Sequence, residues 1–125
     1  MKFARRVFLI ASIYGVAILA PGYFLEALYA ELSPPPLNHV EFYYGFYGTA
    51  LVWQLVYFLI SRDPLRYRPL MPVAALAKLS FFGTCLVLFL SGRLAAGGAL
   101  YGSMLDGVLM VLFVIAYRRT PARAM

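Results

Sequence analysis

Between Phe42 and Ser61 the chain runs for twenty residues without a formal charge. As a helix rising about 1.5 Å per residue, that run is about 30 Å long, the thickness of a bilayer's hydrocarbon core. It ends abruptly in a loop that carries Arg62, Arg66 and Arg68 against one acid, Asp63, before Pro72. A membrane-length apolar run closed by a short basic loop constrains this chain more than any other feature. It calls for an integral membrane protein with that loop on the cytoplasmic side. With 63% hydrophobic and 13% charged residues, the chain is too apolar for an ordinary soluble domain.

Three more apolar runs accompany this one. The first follows Arg6 and continues to about Ala30, interrupted by Pro21 and Gly22, where a kink is expected because Pro21 crowds the carbonyl of Ala17. MKFARR followed by an apolar run also describes a signal peptide, but the run is long for one. Its best small-residue site, before Glu31, has Leu28 where a small residue is needed, so an uncleaved helix is expected. Three consecutive prolines at 34–36 favour an extended polyproline II loop over residues 32–41. Asp63-Pro64 reads as an N-cap with proline at the first helical position, giving a short interfacial turn that Pro69 stops. A third run begins near Val73, GRLAAGG returns the chain, and a fourth run ends near Tyr117. The fold class expected is all-α. It is an integral membrane four-helix bundle of one domain, 1–125, with spans at about 7–30, 42–61, 73–91 and 99–117.

Charge placement gives the orientation. The N-terminus (Lys2, Arg5, Arg6), the middle loop (Arg62, Arg66, Arg68) and the tail (Arg118, Arg119, Arg123) hold nine basic residues, while the other two loops hold only Arg93. Both termini and the middle loop are therefore expected in the cytoplasm. The net charge of +6 is explained by these topogenic positions, so no nucleic-acid partner is inferred. The expected partners are the lipid bilayer and, through helix contacts, a second copy or another membrane protein. Arg62, Arg66, Tyr67 and Arg68 are candidate contacts to anionic lipid headgroups.

Polar residues inside the spans are where function is sought, because charge in hydrocarbon is costly. Asp106 lies deep in the fourth run, after Gly98 and Gly102, whose spacing makes a small-residue face for helix contact. It reads either as a proton- or cation-binding carboxylate or as an acid bonded to a neighbouring helix. Lys78 either snorkels to the interface or meets Asp106. Counted from the cytoplasmic ends of their helices, the two lie at depths of about 9 and 16 Å. The difference of about 7 Å is spanned only if the lysine points inward. On the second helix Tyr43, Tyr47, Ala50, Gln54 and Tyr57 share one face. Tyr43 and Tyr57 are assigned to the interfacial aromatic belts. Tyr47 and Gln54 either line a polar cavity or serve as interhelical glue. Asp106, Lys78, Gln54 and Tyr47 are the candidate intramembrane polar site. Gly45, Gly48 and Thr49 suit close helix contact on another side.

No catalytic residue, cofactor or metal site is assigned. His39 and Glu41 with Glu26 or Glu31 lack the ligand spacing of zinc motifs, and Cys85 is the one cysteine. The chain has no P-loop, dinucleotide fingerprint, CxxC or haem attachment sequence.

EFYYGFYGTALVWQLVYFLISRDPLRYRPLMP with AALAKLS behind it, about residues 39–82, resembles a pattern in small bacterial membrane proteins whose four-helix layout is DoxX-like. The resemblance rests on glycines, aromatics and a D-P-x-R-Y-R loop, and it implies an inner-membrane location without a defined activity. Ala77 stands where an acid is expected before the lysine. Small multidrug transporters share the size and helix count, but their glutamate sits in the middle of the first helix, whereas Glu26 falls near its outer end. The leading functional expectation is an accessory or scaffold module acting through helix contacts. The alternative is a small oligomeric transporter or channel using Asp106, Lys78 and Gln54. A lipid- or quinone-linked enzyme using the tyrosine face is third.

Overall fold

The structure, a computed structural model, describes residues 1–32 and 38–122. It is all-α, with no strand among the described residues. Its helices are α1 (Lys2–Phe24), α2 (Glu26–Leu32), α3 (Val40–Arg62), α4 (Leu70–Leu90) and α5 (Gly98–Arg119). By length and composition α1, α4 and α5 are apolar enough to cross a membrane. The triproline segment expected to be extended, and Arg123 of the tail, lie outside the described residues.

The first apolar run is not one continuous helix. Its helix starts at Lys2, and the run to Ala30 is broken at Leu25 rather than merely kinked at Pro21. Pro21 lies within the last turn of α1, where it denies Ala17 a hydrogen bond while Gly22 lowers helix propensity further. Leu25 leaves helical geometry (φ −124°, ψ 54°) with its N–H on the Pro21 carbonyl at 2.8 Å. The break frees the Gly22 carbonyl, and the Tyr43 hydroxyl donates to it. The seven-residue α2 has no buried residue.

The basic loop is a helical turn, as its Asp63-Pro64 start demands. Asp63 Oδ1 accepts the Arg66 N–H at 3.2 Å, and the Asp63 carbonyl accepts that of Tyr67 at 3.1 Å. Pro69 does not stop this turn: it is the N-cap of α4. Pro72 falls in the first turn of α4, where its missing N–H would have had no partner anyway. At the other end of α4 the N–H of Arg93 bonds the Leu88 carbonyl at 2.8 Å and that of Gly92 bonds Phe89 at 3.1 Å. This helix-ending motif needs a left-handed residue, and Gly92 supplies it with φ +78°.

Helix α1 packs against α3, α4 against α5, and α1 joins the two pairs through α5. The α1–α3 pair is antiparallel and tied at three levels: Arg5 to the Arg62 carbonyl, Ser12 to the Gln54 carbonyl, and Tyr43 to the Gly22 carbonyl. The core lies toward the basic loop. Phe8 stacks on Phe113 with ring centroids 4.3 Å apart, Tyr57 packs 5.2 Å from Phe113, and Ile60, Met71, Ala74 and Ala116 close around them. Outward faces are apolar on all four long helices, with Ile13, Leu55, Leu76 and Val108 among the exposed side chains. Only 22–28% of the residues in the three membrane-length windows are buried within the protein, so most of that apolar surface is left uncovered by the chain itself.

Candidate intramembrane ion-pair site

On α4 the buried positions Met71, Ala75, Lys78 and Cys85 recur at helical spacing, so Lys78 sits in the middle of the inward stripe. On α5 the inward stripe is Leu100, Ser103, Gly107 and Phe113, and Asp106 borders it. Small residues let these two helices approach. At Gly107 an added Cβ would stand 2.7 Å from the Phe82 ring, so the α4–α5 contact needs glycine there.

The approach brings Lys78 Nζ to 3.1 Å from Asp106 Oδ1, an ion pair whose side chains are 9% and 19% exposed. Lys78 therefore points inward and crosses the difference in depth along its alkyl stem, rather than snorkelling to the interface. Tyr57 of α3 completes the surroundings, its ring centroid 5.2 Å from Nζ and its side chain only 2% exposed. The ring presents negative quadrupole density to the ammonium, so the lysine is held by a carboxylate and an aromatic face together.

The remaining members of the expected site are not gathered here. Gln54 is 2% exposed, with Nε2 donating to the Ala50 carbonyl at 2.7 Å and Oε1 buried without a partner. Its backbone carbonyl accepts from Ser12 Oγ at 2.9 Å, and a Cβ at Gly15 would collide with the Gln54 amide. Gln54 is thus the wedge between α1 and α3, one turn from Tyr57. Tyr47 lies about 10 Å farther along α3. Its ring packs 4.8 Å from Tyr43 and 6.2 Å from Tyr29, over the place where Gly22 has no side chain. These rings fill the far end of the tyrosine face, where a polar cavity and interhelical packing were the two readings of Tyr47.

Two assignments to the aromatic belts are overturned: Tyr43 and Tyr57 are both buried. Tyrosines near span ends suit a belt or a core equally well in sequence, and here packing against α1 and α5 decides. Gly98, Gly102 and Gly45 have nothing within 4 Å of a built Cβ, so they make no close helix contact within this chain. Ser12, Gly15 and Gly107 were missed by the reading of polar residues. Their signal was small-residue spacing along α1 and α5, with Ala4, Ala11 and Gly15 on one stripe.

The basic loop divides as well. Arg62 and Arg66 are exposed, and Arg66 lies 5.5 Å from the half-buried Tyr67 ring. Arg68 folds back on α5, donating from Nε to the Thr120 carbonyl at 2.6 Å with its guanidinium 3.9 Å above the Tyr117 ring. At the opposite end His39 Nδ1 and Glu41 Oε1 are 3.3 Å apart and exposed. Among the described residues no three potential metal ligands converge.

Fold and site together define, among the described residues, an all-α architecture with three membrane-length apolar helices and one buried ion pair between two of them. No family model, curated protein or solved structure matches the chain.

Proposed function

We propose that this chain is a four-span inner-membrane module with both termini cytoplasmic, acting as an accessory or scaffold protein through its helix faces. The observation that carries this reading is the closed Lys78–Asp106 pair. Each charge is spent on the other, and Tyr57 backs the lysine, so the pair serves to lock α4 against α5. A structural lock leaves the outward apolar faces for lipid, a second copy or a partner membrane protein.

Helix α3 is the fourth span in this reading. Its mean hydropathy is lowered by Tyr43, Gln54 and Tyr57, and all three are buried. The surface it offers to lipid is Val52, Leu55, Phe58 and Leu59. It also lies antiparallel along α1 at three levels, so a bilayer that holds α1 holds α3. The basic ends then share one side, consistent with the charge placement and with the DoxX-like layout.

A second reading, ion or proton transport through Asp106, Lys78 and Gln54, is favoured by one observation, the unpartnered Gln54 Oε1. Purified protein in proteoliposomes separates the two. The scaffold reading expects no ion or proton flux above empty vesicles, together with a defined oligomer or heteromeric complex in mild detergent. Flux that Asp106→Asn abolishes would replace it with transport.

A further inference from the structure

At the end of the bundle where α1 begins and α3 stops, a cleft of about 240 Å³ opens between the two helices. It is lined by Arg5, Arg6 and Arg62, with Leu9, Phe58 and Ser61 completing the walls. None of these three arginines has a carboxylate within ion-pair distance among the described residues, where the pairs are His39–Glu41 and Lys78–Asp106. Arg5 is held in place from behind, its Nη1 donating to the Arg62 carbonyl at 3.2 Å. That bond also covers a carbonyl at the C-terminus of α3 that would otherwise face the cleft with negative charge. The first turn of α1, with its unpaired N–H groups, adds positive potential on the same side.

We propose that this cleft binds the phosphate of an anionic membrane phospholipid. Guanidinium groups match phosphate oxygens with paired N–H donors, and three arginines line the cleft with none of them ion-paired among the described residues. The volume accepts a headgroup phosphate but is smaller than sites for drug-sized ligands, which run about 300–1,000 Å³. The apolar wall selects lipid over the free ion. Leu9 and Phe58 are both partly exposed and lie on the outward faces of α1 and α3. A headgroup seated on the arginines therefore continues into acyl chains lying on the lipid-facing surface. This site is separate from the 63–68 turn, whose Arg68 is already engaged by Thr120 and Tyr117. It requires only that α1 lies in a bilayer, and it holds whether the protein is a scaffold or a transporter.

The test uses the full chain purified in mild detergent, with retained phosphatidylglycerol quantified by native mass spectrometry against phosphatidylcholine. Two variants remove the same charge from the same end: Arg6→Gln with Arg62→Gln in the cleft, and Arg66→Gln with Arg118→Gln outside it. The cleft variant should lower phosphatidylglycerol affinity about tenfold, and the outside variant less than about twofold. Equal losses in the two would show diffuse charge attraction and overturn the site. Inorganic phosphate at millimolar concentration should not displace the lipid; displacement at such concentrations would make the site one for free phosphate and overturn the lipid assignment. Should the cleft variant not fold, wild-type protein retaining both lipids equally would refute the proposal by itself.

Discussion

Removing one member of the Lys78–Asp106 pair strands the other in apolar surroundings. With the side chains 9% and 19% exposed, water screens neither charge well. A lone charge at mid-span costs about 2.5–3.5 kcal/mol on insertion scales. Two features soften this. A stranded Lys78 keeps the Tyr57 face 5.2 Å from Nζ and has a long stem with which to turn toward the interface. A stranded Asp106 escapes by taking up a proton. Lys78→Met and Asp106→Asn should therefore each destabilise by about 2–3 kcal/mol. The double variant strands nothing and should lose only about 1–2 kcal/mol, since replacing a whole buried pair costs far less than breaking it. The coupling is then about 2–5 kcal/mol, at or above the upper end of the range for contacting residues. Equilibrium unfolding in mixed detergent–SDS micelles reads it, with Trp53, the one tryptophan, as the reporter. Losses that add within about 0.5 kcal/mol would show the two side chains to be energetically independent. The lock between α4 and α5 would then be refuted.

Two further perturbations probe the same packing. Gly107→Ala should cost about 1–3 kcal/mol because its Cβ would stand 2.7 Å from the Phe82 ring, and adding Phe82→Leu should recover much of that loss in the same unfolding assay. Arg68→Ala should destabilise by about 1–2 kcal/mol through its bond to Thr120 and its contact with Tyr117, whereas Arg66→Ala should change stability by less than about 0.5 kcal/mol.

Much of the architecture was legible in the sequence because the signals were strong and local. Charge-free runs of membrane length give the long helices, and Asp63-Pro64 gives the turn between α3 and α4. The break at Leu25 was not legible, since Pro21 was the visible breaker and the chain leaves helical geometry four residues later. The ion pair was accessible through depth alone: helical rise places Lys78 and Asp106 about 7 Å apart along the bundle, within a lysine's reach. What depth does not give is azimuth. Tyr57 carries the same letter as a belt tyrosine, and only packing between Phe8 and Phe113 turns it into core beneath Lys78. The same gap hid Gly15, whose importance lies entirely in the Gln54 side chain that occupies its missing Cβ. Grouping Tyr47 with Gln54 failed for the opposite reason. A shared helix face was read correctly, but two turns of separation put them against different neighbours.

The central claim is that α3, less hydropathic than its neighbours, crosses the bilayer alongside α1. Single cysteines at Asn38→Cys and Arg66→Cys, each on a Cys85→Ala background, report on the two ends of α3 when sealed vesicles are treated with a membrane-impermeant maleimide. In right-side-out vesicles Asn38→Cys should be labelled at once, and Arg66→Cys only after the membrane is opened. Labelling of both sites from the same side would mean that α3 does not cross, and the four-span account would be wrong.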